Sequence, residues 1–323
     1  MKLLVTGGAG YIGGVVATKL VAAGHQVTVL DDLSTGHADA VPPGAAFLHG
    51  TLRDDAKAAL GGDTEAVLHF AAKSLVGESV QHPRLYWSAN LGGTLALLDA
   101  MREAGTRQIV FSSTAAVYGE PEQIPVTETT ATLPTSPYGA SKLAVDTMLA
   151  EYARLHGFGA VSLRYFNVAG AFRDESGRWL GERHKNETHL IPNVLALGGK
   201  ILSVRINGID YPTPDGTTIR DYIHVSDLAD AHLLALDARE AGRHRVYNLG
   251  NGAGFSVREV INMCRAVTGR EIDTEEGPRR PGDPAVLVAS SDLIQAELGW
   301  RATRDLRAMV ADAWQFTLSR APR

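Results

Sequence analysis

Cysteine is almost missing from this chain: Cys264 is the only one among 323 residues. Neither an intramolecular disulfide nor a multi-cysteine zinc site can form, which suits a reducing compartment. No apolar run approaches the roughly 20 residues that cross a bilayer. The chain opens on strand-like Lys2-Leu3-Leu4-Val5-Thr6, without the basic segment and apolar run of a signal peptide. A cytoplasmic protein with no membrane partner is therefore expected. Positive charge is not in excess either. The formal net charge of -5 gives no reason to expect nucleic acid as a partner. Internal repeats and low-complexity segments are absent from the sequence as well. What is present is an ordinary globular composition, 45% hydrophobic and 21% charged, at a length that suits one large domain or two closely joined ones.

The first half alternates short apolar runs with amphipathic ones. Leu3 to Val5, Gln26 to Leu30, Ala66 to Phe70, Ile109 to Ser112 and Ala160 to Tyr165 read as strands rich in Val, Ile and Leu. The intervening segments have helical periodicity, so a parallel sheet covered by helices on both faces is expected. The helix after Gly13 should end at Gly24, and the one carrying Lys142 should run to about His156 and stop at Gly157. Beyond roughly Gly170 the pattern becomes irregular. Ala171 to Pro192 and Asn207 to Thr218 carry little periodicity and read as binding loops or lids. Helices are expected again near Val257 to Thr268 and Leu306 to Leu318. The fold class is α/β, a Rossmann-type doubly wound parallel sheet with a smaller, loop-rich C-terminal substrate lobe. Residues 1–170 form the first unit and 171–323 the lobe, part of which returns to the main sheet.

Two motifs about 130 residues apart carry the chemistry. In Val5-Thr6-Gly7-Gly8-Ala9-Gly10-Tyr11-Ile12-Gly13, the glycines at 7, 10 and 13 lie between a strand and a helix. A tight turn there needs glycine, and a pyrophosphate must approach the backbone without a Cβ in the way. The helix N-terminus offers N–H groups and partial positive charge. Asp31 follows the second strand, where a carboxylate accepts from both ribose hydroxyls. With Asp32 beside it, a 2′-phosphate would meet negative charge, so NAD is favoured over NADP.

The second motif is Tyr138-Gly139-Ala140-Ser141-Lys142. On a helix, residues four apart project from one face. A nearby ammonium and a positively charged nicotinamide both favour the phenolate. A depression of about three pKa units represents roughly 4 kcal/mol of differential interaction. Tyr-x-x-x-Lys alone is common by chance; behind a dinucleotide cradle it is specific. The hydroxyl-rich run Phe111-Ser112-Ser113-Thr114 ends a strand, and hydroxyls at that end of a parallel strand face the ligand crevice. Ser112 and Ser113 either do this or satisfy backbone groups at the strand end.

With these motifs the chain resembles the extended short-chain dehydrogenase/reductase superfamily and, within it, the UDP-glucose 4-epimerases. The resemblance spans nearly the whole length. It rests further on His69-Phe70-Ala71-Ala72, Val76-Gly77-Glu78-Ser79-Val80, Leu163-Arg164-Tyr165-Phe166-Asn167 and Asp210-Tyr211-Pro212-Thr213-Pro214-Asp215-Gly216-Thr217, then on Arg220-Asp221-Tyr222-Ile223-His224-Val225 and Arg279-Arg280-Pro281-Gly282-Asp283. It implies a reversible 4-epimerisation of UDP-glucose and UDP-galactose through a 4-keto sugar, with tightly bound NAD as transient hydride acceptor. Tyr138 would be the base, Thr114 the hydrogen-bonding partner of the sugar 4-hydroxyl, and Lys142 the electrostatic partner that also holds the nicotinamide ribose.

The implied cofactor contacts are Gly7, Gly10, Tyr11, Ile12, Gly13, Asp31, Asp32, Leu33, Thr51, Leu52, Phe70, Ala71, Ala72, Lys73 and Ser112, with Asn90, Tyr165 and Phe166 on the nicotinamide side. The implied nucleotide-sugar contacts are Thr114, Tyr138, Asn167, His189, Leu190, Arg220, Arg280, Asp283 near the uridine ribose, and Leu287. Two arginines suit a diphosphate, since each offers a planar fork of donors. The sequence departs from the family pattern in four places. Thr51 replaces an aspartate for the adenine amine; Lys73 falls one position early, leaving Ser74 in its slot; His189 replaces an asparagine near the diphosphate; and Leu287 is intermediate between gates that admit or exclude N-acetyl sugars.

Alternatives are weighed on particular residues. Dehydratases of this scaffold carry an Asp-Glu pair after the threonine, where this chain has Ala115 and Ala116, which cannot move a proton. Epimerases of N-acetylhexosamines, uronic acids or pentoses remain open. A non-catalytic NAD-binding module would not need Tyr138 and Lys142. Glu182, His184, Glu187 and His189 lack metal-site spacing and a nearby cysteine; no metal is expected, and the loop reads as a lid. His224, Trp300 and Trp314 read as core residues. Helices near Tyr86 to Ala104 and Tyr138 to His156 resemble the pair that makes a four-helix bundle in homodimers of the superfamily.

Overall fold

The computed structural model of the protein describes residues 1–185, 187–196, 203–280 and 282–320. Its centre is a seven-stranded sheet: β1 (Lys2–Thr6), β2 (Gln26–Asp31), β3 (Ala46–His49), β4 (Ala66–His69), β5 (Gln108–Thr114), β6 (Gly159–Tyr165) and β7 (His244–Leu249). The strands are all parallel, in the order β7-β6-β5-β4-β1-β2-β3. The helices that cover it are α1 (Tyr11–Ala22), α2 (Leu52–Leu60), α3 (Gly93–Ala104), α4 (Pro137–His156) and α5 (Val225–Asp237).

Strand periodicity explains the two-faced core. Leu3 and Val5 point to one side, among Val15, Leu20, Val27, Val29 and the α5 residues Leu228 and Leu236. Leu4 points to the other, among Leu30, Leu60, Leu97, Met101, Phe111 and Leu149. Successive side chains of a strand alternate in this way, so a strand buried on both faces must be apolar throughout. Each fully buried Leu or Phe stabilises the fold by about 1.5–3 kcal/mol.

Strand order reverses between β1 and β4, and register sets Thr6 beside Leu30 and His69, and Thr114 beside Tyr165. The carboxyl ends therefore form one edge, and the crevice opens where the order turns. α1 ends at Ala22 with Gly24 at φ +83°, and α4 ends at His156 with Gly157 at φ +69°, as glycine placement indicates. The helical run before α3 starts at Pro83 and widens into a π-turn over Trp87–Gly92, which places Asn90 inward.

Several elements differ from the sequence reading. β3 was not expected: it is an edge strand whose Ala46, Phe47 and His49 are exposed, so it lacks a continuous apolar signature. β7 and α5 were not marked as elements, although part of the second half was expected in the main sheet; β7 pairs there with β6, Tyr247 beside Leu163. Ala171 to Pro192 contains an antiparallel hairpin, Ala171–Arg173 with Trp179–Gly181, followed by the helix Leu190–Leu195. Four-residue strands and six-residue helices are too short for periodicity to register.

The remaining segments build a small second core around Ile191, Tyr222, Val260, Met309 and Val310, beneath helices Val257–Thr268 and Leu306–Ser319. Asp221 ties it to the sheet. Its buried carboxylate accepts from the backbone N–H groups of Asn251 (2.7 Å), Gly252 (3.0 Å) and Ala289 (3.0 Å).

Candidate active site

The glycine loop is built for a ligand that touches backbone. Gly7 has φ +72°, and a Cβ there would lie 2.6 Å from the Ala71 nitrogen; at Gly13 it would lie 2.3 Å from the Gly7 carbonyl oxygen. At Gly10 only the Gly7 oxygen, at 3.2 Å, would be met. Gly10 caps α1 without a side-chain acceptor, leaving the first-turn N–H groups for an anion. Asp31 is buried. One oxygen accepts from Ala9 N–H (3.0 Å) and the other from Leu33 N–H (2.8 Å). Burial raises its pKa and these two bonds oppose that rise. A carboxylate has about four lone-pair sites, so capacity remains for a ribose diol. Leu33 has φ +55°, the one non-glycine left-handed residue among the described residues. The bond to Asp31 holds it there, at the cost such backbone carries. These residues fit a dinucleotide.

Phe70, Ala71, Ala72, Ser74 and Leu52 line the same cleft. Asn90 is buried and does not face it directly. Its amide accepts from Lys73 N–H (2.8 Å) and donates to Lys73 C=O (3.0 Å) and Ser141 Oγ (3.0 Å). Lys73 in turn sends its ammonium to Ser34 Oγ at 3.2 Å. Thr51 lines the cleft, but its hydroxyl caps α2, accepting from Asp54 N–H (3.2 Å) and donating to the Asp54 carboxylate (2.9 Å).

α4 sets the Tyr138–Lys142 pair. Ser136 caps it, with Oγ accepting from Gly139 N–H at 3.2 Å, and Pro137 begins it. A Cβ at Gly139 would lie 2.3 Å from the Ala116 carbonyl, so glycine lets the helix start against the end of β5. Tyr138 thereby faces the cleft together with Thr114, whose hydroxyl accepts from Ala116 N–H at 3.1 Å. Lys142 is 2% exposed, donates to Ser112 C=O at 2.8 Å and lies 4.7 Å above the Phe111 ring. Burial pushes its ammonium down to about 7, opposed by Asp146. Burial likewise raises Tyr138, opposed by the Thr114 side chain. The chain alone thus does not depress the phenol as the sequence argument anticipates, because desolvation outweighs its neighbours. His69 sits between Thr6 and Thr94, at 2.7 and 2.8 Å, and burial with the Lys142 charge lowers it to about 3, so it is neutral. Ser112 Oγ is bonded to the Tyr165 hydroxyl, whereas Ser113 turns inward to Asp146 at 3.2 Å.

From Tyr138 the cleft continues past Phe166, Asn167 and Leu287 to Arg220, one continuous cavity of about 510 Å³. That lies within the roughly 300–1,000 Å³ of ligand sites. Arg220 is bonded to Asp283 and to Pro284 C=O (2.7 Å). Arg280 is exposed, and the Asn207 amide oxygen, turned toward it, accepts from its Nε and one Nη at 3.1 Å. Leu190 packs into the lobe core behind His189. Pro281 of the Arg-Arg-Pro-Gly-Asp motif lies outside the described residues.

Glu182 and His184 also line the cleft, although neither motif nor resemblance assigned them a role. Their signal was the alternation of acids and histidines up to His189, which resembled a metal set. The four side chains do converge, with ligand atoms within 4.8 Å of one another. Arg183, between them, pairs with Asp39, and His37 bonds to the Arg183 carbonyl at 3.1 Å, lacing the loop after β2 to this segment.

Known proteins match this arrangement closely. Residues 3–250 match the NAD dependent epimerase/dehydratase family. The UDP-glucose 4-epimerase of Streptomyces lividans is 55% identical over 322 residues, 98% of this chain and 95% of that protein. The one from Corynebacterium glutamicum is 53% identical, covering 98% and 96%. The structure of the Bifidobacterium longum UDP-glucose 4-epimerase in complex with NAD+ and UDP superposes with a TM-score of 0.92 at 36% identity, covering 99% of each chain. A cleft that runs from the glycine loop to Arg220, a tyrosine–threonine–lysine cluster between its ends and this full-length similarity lead to one conclusion: the chain belongs to the NAD-dependent epimerase/dehydratase family and, within it, to the UDP-glucose 4-epimerases.

Proposed function

We propose that this protein interconverts UDP-glucose and UDP-galactose through a 4-keto sugar, with NAD held in the cleft throughout the cycle. The observation that carries the reading is the position of Tyr138 and Thr114, where the cleft passes from the glycine cradle toward Arg220. NAD, when bound, supplies a transient acceptor for the hydrogen at C4, with no net consumption. The residues around it bind, orient and move a proton. First-turn N–H groups of α1 hold the pyrophosphate, and Asp31 the adenosine ribose. Lys142 holds the nicotinamide ribose, and Thr114 orients the 4-hydroxyl. Tyr138 Oη takes the proton of that hydroxyl and returns it to the epimer. A phenol raised by burial needs a positive neighbour to ionise, which the oxidised nicotinamide provides. Arg220, Arg280 and His189 take the diphosphate, Asp283 the uridine ribose and Leu287 the edge of the sugar pocket. The tether at the diphosphate keeps the sugar in place while leaving it free to turn.

The decisive experiment incubates purified protein with UDP-galactose, without added NAD, and follows the C4 configuration by proton NMR. Conversion to UDP-glucose without accumulating NADH supports the reading. No conversion even with NAD supplied overturns it in favour of an N-acetylated, uronic acid or pentose nucleotide. Dehydratase chemistry is disfavoured by Ala115 and Ala116, which line the cleft after Thr114.

The coarse division is of cofactor residues in 1–170 and nucleotide-sugar residues mainly in 171–323. The protein is further read as a cytoplasmic homodimer whose four-helix bundle uses α3 and α4. Exposed Leu95 on α3, Leu155 on α4 and Trp87 on the π-turn that leads into α3 support that arrangement. Light scattering at micromolar concentration should give a dimer mass; a monomer mass removes the bundle.

A further inference from the structure

Arg220 and Arg280 are the arginines assigned above to the diphosphate. Arg220 is already paired with Asp283, and exposed Arg280 faces Asn207. The cluster beside them is arranged differently. Glu182, whose side chain is 9% exposed, bonds through one oxygen to His189 Nδ1 at 2.7 Å and to His184 Nε2 at 3.1 Å. Glu187 accepts from the backbone N–H groups of Thr188 and His189, both at 2.8 Å, and from His189 Nδ1 at 3.1 Å. Two carboxylates thus converge on one edge of the His189 ring. The ring lines the cleft and is 47% exposed, so its Nε2 is the nitrogen left for a ligand.

We propose that Glu182 is a positioning residue which, with Glu187, keeps His189 a cationic donor to the diphosphate of the nucleotide sugar. This rests on the substrate reading given above. An imidazole bonded at Nδ1 to two carboxylates presents Nε2–H in a fixed direction, and a charged donor bonds a phosphate oxygen more strongly than a neutral one. The charges agree. Burial opposes protonation of His189, but the bonds to Glu182 and Glu187 prevail and push it up to about 10. His184 is also raised, led by the bond to Glu182, and Glu182 is held below the usual carboxylate range by both histidines against its burial. Half-exposure of the ring screens part of this effect. The other ionisable groups nearby are Tyr11 on α1, whose phenol feels Glu182, Glu187 and Asp312, and Arg220, which lines the same cleft. Where an asparagine would give a neutral contact, this chain has a cation that depends on a buried glutamate.

The test is calorimetric binding of UDP-glucose to the NAD-loaded Tyr138→Phe variant, whose turnover is strongly slowed, from pH 6 to pH 9. A nucleotide sugar has no phosphate that titrates in this range, and uridine carries the same uracil N3–H, so a pH dependence shown by UDP-glucose and not by uridine reports the protein at the diphosphate. With Glu182 intact, affinity should be flat. Adding Glu182→Gln leaves Glu187 alone to oppose the burial of His189, so the ring should titrate within this range and the cation is lost as pH rises. Affinity should then fall about tenfold between pH 6 and pH 9, the size of one charge-assisted hydrogen bond. Adding His189→Asn to Glu182→Gln should restore a flat profile at the lower affinity, identifying His189 as the titrating group. Uridine, which lacks the diphosphate, should bind all three alike.

A flat profile in the Glu182→Gln variant overturns the proposal, as does a slope that survives His189→Asn or an equal loss for uridine. Cobalt(II) binding at micromolar concentration that disappears in His184→Ala also overturns it, since the imidazoles would then be metal ligands. Failure to bind UDP-glucose with Glu182 intact would instead indict the substrate reading.

Discussion

The Tyr138→Phe variant is expected to retain NAD and to bind UDP-glucose at close to wild-type affinity, while kcat falls by roughly 10²- to 10⁴-fold, the range for loss of a positioned acid–base group. The ring should stay where it is, because the helix start is fixed by Ser136, Pro137 and the Gly139–Ala116 approach rather than by the hydroxyl. The change removes a single oxygen, in the cleft that Thr114 also lines. No other group in reach substitutes for it. Tyr165 is bonded to Ser112, and burial raises its phenol. His69 is held neutral with both ring nitrogens facing threonine hydroxyls. Lys142 points its ammonium at the Ser112 carbonyl. The effect should therefore appear in kcat, with KM little changed, in an NMR assay of UDP-galactose turnover. A kcat within tenfold of wild type would remove Tyr138 as the base.

The parts of this site legible in the sequence are those whose chemistry forces a residue type at a short spacing. Gly7, Gly10 and Gly13, and Tyr138 with Lys142, each belong to one turn or one helix face, so proximity in sequence becomes proximity in space. Asp31 was legible because a strand end fixes it. The core strands could be read because burial on both faces demands uninterrupted apolar runs, as in Leu3-Leu4-Val5. β3 escaped because an exposed edge makes no such demand.

Glu182 and His184 could not be placed without the hairpin that precedes them, for their meaning depends on which cleft they face. The same holds for Asn90. Its motif position suggested a direct role beside the nicotinamide, but the π-turn of Trp87–Gly92 turns its amide onto the Lys73 backbone. Direction of this kind is set by tertiary contacts, and no local pattern encodes it.

The second large effect should come from a single methyl group. Gly13→Ala adds a Cβ 2.3 Å from the Gly7 carbonyl oxygen, 2.9 Å from the Gly7 carbonyl carbon and 3.0 Å from Gly8 Cα. Helix propensity alone favours alanine over glycine by about 1 kcal/mol. That gain is outweighed, since all three obstructing atoms are backbone and cannot rotate away. Either α1 or the loop must move, and overpacking of this kind typically costs about 1–3 kcal/mol. The functional loss should be larger than the structural one. The first-turn N–H groups of α1 act on a pyrophosphate only at hydrogen-bond distance, and a displacement near 1 Å costs about 10²-fold in such a site.

NAD content, measured on material released by denaturing the purified protein, should therefore drop from near one per chain to a small fraction, and turnover should vanish unless NAD is supplied in excess. Gly14→Ala is the control. On the same helix, one residue along, its Cβ would meet Ala40 and Gly8 atoms at 3.4–3.5 Å, an ordinary contact distance. That variant should keep its NAD and melt at or slightly above the wild-type temperature. If Gly13→Ala also keeps a full complement of NAD, the loop is looser than its backbone contacts indicate, and the cradle assigned to Gly7, Gly10 and Gly13 is not what holds the cofactor.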